Sequence, residues 1–484
     1  MNLRRLTNET IIYGIGRGIE GIAAFVVLPF IGRYLVPSVF GYADVISATT
    51  GLLYLTVGLN LHQALTRYYY DLDSGTLVTT HSATFLGSGA IHLGIGAGIV
   101  LLFRGTVMEP AAWIIAITSV IGQFTSEYIT TIFRMRHEPL RYLSVVFVTQ
   151  SALCIATPLL LVVFDAGINA IFIGKTVAFC AGILISIGWL ISVYRKRIDF
   201  EYLKRSIRFV LPMVPGNIAS WALIYAPRYF LIAAASAAQV GYYGVAVRFS
   251  YMLMMVGMAG AMAWTPFAMG IKDEPHASKT LGRGLLYITF VNVAVGIIVA
   301  AFSYEGAYLL MGPDYIEAAP LIGPMMVATV FSNLMLIVFI QIAISEKTIW
   351  QSAGYAVGVI VMSVLNITLI PKYGAFGAVI ATAVGHGAAA TAHFTAGQRY
   401  FPVQTDVGKI LGMIGVLSVI AFAGQWIEVH TDVRSIAVAW KALLTLGALG
   451  GLILILGKTE LAASRTVLRG IVSRQEHRDV DSVH

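Results

Sequence analysis

Seven charged residues stand inside runs of apolar sequence where nothing about solubility asks for them: Arg17, Glu20, Asp44, Glu127, Lys175, Arg228 and Arg248. A charge at the centre of a bilayer costs about 2.5–3.5 kcal/mol on insertion scales, so such residues normally face a cavity or a partner. At about 1.5 Å of helix rise per residue, Arg17 and Glu127 fall roughly 10 Å in from one membrane face, and Lys175, Arg228 and Arg248 roughly 10 Å in from the other. Three cations at one depth on three different helices repel unless an anion or water separates them, which is the expected look of an anion-accepting cavity. A guanidinium fork suits phosphate oxygens because it binds them bidentately and stays charged when desolvated. Arg17, Lys175, Arg228 and Arg248 are therefore the candidate anion-binding residues, and Glu20, Asp44 and Glu127 the candidate coupling carboxylates. Three of these have structural readings as well: Arg17 and Glu20 are three apart and can neutralise each other, and Asp44 is a single turn below the predicted outer boundary.

Other chemistry finds little support. No HExxH and no Cys/His metal spacing occurs, and the two cysteines, Cys154 and Cys180, lie within apolar runs. Gly14 to Gly18 follows no strand, and Ile173-Gly-Lys-Thr176 misses a phosphate-binding loop because Asn169 stands where its first glycine belongs. We expect no catalytic residues, no metal and no cofactor, hence not an enzyme.

The elements that position these charges follow from composition. Charged residues are 12% and apolar ones 58% of 484 residues, and the mean hydropathy is +0.80, against about 25% charged in soluble domains. This predicts an all-α, polytopic membrane protein. With about 20 residues per span as the ruler, fourteen transmembrane helices are expected: residues 9–32, 42–64, 81–103, 111–133, 142–164 and 168–194; then 207–235, 240–270, 284–310, 318–344, 349–370 and 375–397; then 407–426 and 434–457. Two echoes suggest a duplicated half. Phe230 and Gly241-Tyr242 repeat Phe30 and Gly41-Tyr42 at an offset of 200, and the stretch from Gly374 shadows that from Gly167 at 207, the pattern of many transporters. The resulting organisation is a first lobe at 1–194, a basic cytoplasmic linker at 195–205, a second lobe at 206–398, two further spans within 407–457, and a cytoplasmic tail at 458–484.

Lysine and arginine set the orientation, because they are retained on the cytoplasmic side of short loops. With the N-terminus inside, 23 of the 32 lie in inside segments and four in outside loops, the other five being within spans. Both termini are expected to be cytoplasmic. The first residues, Met1 to Gly16, show no small-residue cleavage site after their apolar region and read as a retained first span. The densest basic cluster, Arg195 to Arg205, is placed along the anionic inner leaflet, so the net charge of +8 calls for lipid and not for nucleic acid.

LPFIGRYLVPSVFGYADVISATTGLLYLTVGLNLHQALTRYYYD, Leu28 to Asp71, resembles the first two spans of the polysaccharide biosynthesis flippases, the O-antigen and exopolysaccharide exporters of the multidrug/oligosaccharidyl-lipid/polysaccharide superfamily. IPKYGAFGAVIATAVGH, Ile370 to His386, is similar to that family's twelfth-span entry. The resemblance implies two six-helix lobes in a V-shaped arrangement plus two C-terminal helices, with spans 1, 2, 7 and 8 lining a central cavity. It implies a cell-membrane flippase whose cargo is a polyprenyl-linked oligosaccharide, with Arg17, Arg228 and Arg248 toward the lipid (pyro)phosphate and Lys175 fitting less well. Its expected partners are membrane lipids and the glycan polymerase or glycosyltransferases of the same pathway. Two alternatives stay open: a cation-coupled multidrug exporter of the same superfamily, which calls for dominant cavity carboxylates, and a membrane glycan polymerase or ligase, which calls for a sizeable outer loop.

Overall fold

A computed structural model describes residues 3–57, 60–102, 110–195, 197–347, 349–431 and 433–457. The predicted tail at 458–484 lies outside them. The described chain is helical from end to end: α1 (Leu3–Tyr34), α2 (Pro37–Val57), α3 (Leu61–Tyr68), α4 (Ser74–Leu102), α5 (Pro110–Met135), α6 (Pro139–Val162), α7 (Asn169–Leu190), α8 (Phe200–Val210), α9 (Val214–Ala234), α10 (Ala237–Ile271), α11 (Ala277–Ala301), α12 (Ser303–Met311), α13 (Ala319–Ile344), α14 (Ile349–Tyr400), α15 (Val407–His430) and α16 (Arg434–Leu456). In hydrocarbon a backbone must satisfy its own hydrogen bonds, which leaves apolar runs of this kind one solution. Proline, whose missing N–H is harmless in a first turn, opens α2, α5 and α6.

Among the described residues ten helices are long and apolar enough to cross a membrane. One of them, α14, has 52 residues and is interrupted at Gly374 (φ 54°), so it supplies the two spans predicted at 349–370 and 375–397. Helices α2, α4 and α5, at 21, 29 and 26 residues, have the length for the predicted second, third and fourth spans.

Three expected spans divide differently. The predicted second span, 42–64, ends at Val57, and α3 begins after Asn60, which is left-handed at φ 48°. The predicted ninth, 284–310, is α11 followed by the separate α12. The predicted seventh, 207–235, starts in the amphipathic α8, crosses a 3-10 turn at Leu211–Met213 and continues as α9. Pro212 and Pro215 cause that last division, since neither can donate to a continuous ladder.

The linker is fastened to the first half. Asp199 caps α8 by accepting from the Glu201 and Tyr202 amides at 2.9 and 3.3 Å. The Asp199 amide donates to Thr80 on α4 at 3.0 Å, and the Arg195 amide to Thr79 at 2.8 Å. Buried His81 lies 2.9 Å from the Ser206 hydroxyl of α8 and 3.0 Å from the Tyr128 hydroxyl of α5.

The sequence repeat is visible in the backbone. Residues 31–40 and 231–240 show the same helix–break–helix pattern, and the echoing glycines Gly167 and Gly374 share the left-handed region at φ 53° and 54°, where a Cβ would be strained.

Lys441 corrects one simple expectation. A lysine near the end of an apolar span is expected to extend toward the interface, yet Lys441 is 1% exposed and its ammonium binds Glu305 of α12 at 2.9 Å and also Glu428 of α15. It ties α16 to both helices. Removing one member of a buried pair strands the rest and typically costs about 3–5 kcal/mol, so Lys441→Met is expected to lower the unfolding midpoint markedly. An unchanged midpoint in a thermal melt of the purified protein would refute that role.

Candidate functional site

The two halves meet where the repeat is best preserved. A Cβ on Gly41 would lie 1.8 Å from the Ala237 carbonyl oxygen, and one on Gly241 would lie 2.1 Å from that of Pro37, so only glycine at both equivalent positions permits α2 and α10 to touch. Around this contact, the Tyr315 hydroxyl donates to the Leu35 carbonyl at 2.8 Å, Thr49 and Tyr229 share a hydrogen bond of 2.8 Å, and the Trp221 indole donates to Ala48 at 3.2 Å. This end of the bundle, predicted to face outward, is sealed.

At the centre of the seal is Asp44. Its Oδ2 accepts from Arg228 Nε at 2.5 Å, and its Oδ1 from Arg248 Nη1 at 3.2 Å. One carboxylate of α2 thereby holds α9 and α10 together. It is the anion that the cluster of cations requires. Gly244, the repeat counterpart of Asp44, makes the room: a Cβ there would come within 3.0 Å of Asp44 Oδ2.

The two arginines are not equivalent. Arg228 is 1% exposed, lies over the rings of Tyr225 and Tyr243 at 4.9 and 5.4 Å, and donates to the Ile224 carbonyl at 2.8 Å. Its charge is spent on Asp44. The Arg248 side chain is 23% exposed, lies 4.2 Å over the Phe40 ring and also donates to the Gly244 carbonyl at 3.0 Å. One carboxylate between two guanidiniums leaves these three groups with one net positive charge, and Arg248 is the more exposed and the less tightly paired of the two. Lys175, half-buried at 5.6 Å from the Phe172 ring, lies within electrostatic reach of both Asp44 and Arg248.

Arg17 is elsewhere. It pairs with Glu20 at 2.8 Å, as their spacing predicts, and the pair lines a cavity of about 250 Å³ in the first half with Glu127, Gln123, Arg134 and Tyr142. Glu127 accepts a hydrogen bond of 2.5 Å from Tyr54. Sequence-predicted residues thus fall into two groups, Asp44 with Arg228, Arg248 and Lys175 at the seal, and Arg17 with Glu20 and Glu127 in the cavity. Sequence reasoning missed the residues that complete them: Gly244, Tyr225, Tyr243 and Phe40 at the seal, Arg134 in the cavity and Tyr54 bound to Glu127. Only Gly244 carried a signal, as the residue facing Asp44 in the repeat.

The chain's sequence matches no protein-family model and no curated protein. Its fold matches several solved structures. The lipid II flippase MurJ in an inward closed conformation is similar with a TM-score of 0.70 at 12% identity, over 96% of this chain and 100% of that one. An inward-facing multidrug resistance MATE family transporter of the MOP superfamily matches with a TM-score of 0.64 at 15% identity, over 81% of this chain and 94% of that one. The outward-facing form of such a transporter matches with 0.55 at 16% identity, over 84% and 96%. The fold is that of the MurJ and MATE transporters, and the chain is a multi-pass membrane protein built on it.

Proposed function

We propose that this protein is a flippase that carries a polyprenyl-(pyro)phosphate-linked oligosaccharide across the cytoplasmic membrane by alternating access of two lobes, residues 1–194 and 206–398, both termini being cytoplasmic. The observation that carries the reading is the seal itself: one carboxylate shared by two arginines, of which Arg248 is partly exposed and held by the longer contact. A phosphate reaching Arg248 from the inner side competes with Asp44 for the same guanidinium, and its binding weakens the contact that keeps the outer end shut. Binding energy is thereby converted into a shift between two states. The likeness to the lipid II flippase MurJ along the whole chain supports a lipid-linked anionic cargo, and the stronger match to the inward-facing MATE form agrees with a seal on the outer side. No bond is made or broken. Reconstituted vesicles are expected to move a fluorescent polyprenyl-pyrophosphate oligosaccharide from one leaflet to the other; folded protein that moves none defeats the reading.

A second reading has its own support. The cavity of the first half holds Glu20 and Glu127 with Arg17 and Arg134, a place where a proton could be exchanged for cargo, and MATE transporters share the fold. If a proton is the coupling ion, Glu127→Gln is expected to flatten the dependence of transport on external pH. Transport that stays equally pH-dependent removes Glu127 from that role, and a Glu127-dependent gain of resistance to cationic dyes favours the multidrug exporter.

A further inference from the structure

A second concentration of positive charge lies apart from the seal, between α3 and α8. There a cavity of about 640 Å³ is lined by Lys204, Arg205 and Arg208 of α8, with Tyr68 and Phe209 as its aromatic side and Glu201 as its acidic member. Its parts are differently employed. Arg205 lies 4.9 Å over the Tyr68 ring, and Tyr68 meets Phe209 edge-on at 5.6 Å, so these three dock α8 on α3. Arg67, 5.3 Å from the Tyr68 ring, is paired with Asp71 at 2.6 Å. Lys204 has only a loose pairing with Glu201, at 3.7 Å with both side chains more than half exposed, and among the described residues Arg208 has no ion-pair partner. The pocket therefore carries three cations against one carboxylate.

What surrounds it decides the source of the anion. Phe200 at 78% exposure and Leu211 at 57% stand at the two ends of α8, with Ile198 and Tyr70 also exposed nearby, while Ser206 and Val210 are buried against the body. A short helix with apolar side chains projecting at both ends and a basic face between them, joined directly to a span, has the pattern of one lying in the membrane interface. At that depth the anion to hand is a phospholipid phosphate.

We propose that α3 and α8 form a binding site for the phosphate of an anionic phospholipid, held by Lys204 and Arg208 with its acyl chains beside Phe200 and Leu211. The site depends on the membrane reading alone and not on the cargo. Because Ser206, Asp199 and Arg195 bind α4, a lipid held there is held by the first half.

The test uses the full chain in detergent with mixed micelles of phosphatidylglycerol or phosphatidylcholine, read by thermal unfolding and by native mass spectrometry of retained lipid. Phosphatidylglycerol is expected to raise the midpoint by several degrees over phosphatidylcholine and to leave one tightly retained lipid. Lys204→Gln/Arg208→Gln is expected to lose that increment and that lipid with an unchanged midpoint in phosphatidylcholine, whereas Lys272→Gln/Lys279→Gln, at the junction of α10 and α11, keeps both. Should the α8 double variant itself melt early, retention of lipid by single variants decides. Equal retention in the α8 variants and the wild type overturns the site, and an equal shift from inorganic phosphate at millimolar concentration shows that it takes free phosphate and overturns the lipid assignment.

Discussion

Arg248→Ala is expected to abolish transport, by about a hundredfold or more, in a protein that still inserts and folds. The fold does not require a cation there, since the repeat counterpart of Arg248 is Ala48. Nor is Asp44 left unpaired, since it keeps Arg228 at 2.5 Å. What is lost is the more exposed of the two guanidiniums, the one held to Asp44 by the longer contact. Hydrogen bonds to charged groups are worth about 1.5–3 kcal/mol each, and every 1.4 kcal/mol is tenfold, so losing both prongs of a phosphate contact accounts for the size of the effect. Arg248→Lys should recover only part, because a point charge lacks the fork. Vesicle assays at matched reconstitution levels measure this directly. Transport at the wild-type rate by Arg248→Ala would mean that the charge is a bystander.

Asp44→Asn should fail in the opposite way, by losing stability and closure together. The substitution leaves Arg228 buried between two tyrosines with no counter-ion, a situation that typically costs about 3–5 kcal/mol, and it removes the carboxylate that joins α2 to α9 and α10. A thermal melt reads the first effect. The second is read by outside labelling of Thr49→Cys, at the inter-half hydrogen bond with Tyr229, after replacement of Cys154 and Cys180. Labelling is expected to rise severalfold. Adding Arg228→Met to Asp44→Asn removes the stranded charge and should restore the melt while labelling stays high, which separates stability from gating. Wild-type values for both in Asp44→Asn would show that the ion pairs do not hold the outer end shut.

How far all this could be read from sequence varied with the kind of information needed. Helicity, apolar length and repeat are properties of a run of residues, and hydropathy and offset carry them; the paired glycines Gly41/Gly241 and Gly167/Gly374 kept both offset and geometry. Which way a side chain points is a property of packing. Helix rise placed Arg228 and Arg248 at one depth but could not say that Asp44, 184 and 204 residues earlier, turns toward them. The partners of Lys441 are hidden for the same cause, its carboxylates lying 136 and 13 residues away. The division at Leu211–Met213 was announced by Pro212 and Pro215, whereas the hold of Thr79, Thr80 and His81 on the linker had no signal in an apolar stretch.

That hold on the linker has a mechanical consequence. If residues 195–213 were free rope, at about 3.3–3.6 Å per residue they could let the two lobes drift roughly 60 Å apart. With Arg195, Asp199 and Ser206 bound to α4, the slack beyond α8 shrinks to the three residues Leu211–Met213, about 10 Å when stretched. In the two-lobe reading proposed above, this pins the lobes at the linker end, and relative motion between them is a swing about that pin. Across a hydrocarbon thickness of ~30 Å, a swing of roughly 20° parts the far ends by about 10 Å, the width of a sugar ring with its hydrating water. The pin therefore makes the Asp44 end, and not the linker end, the place where a small rotation opens the widest gap.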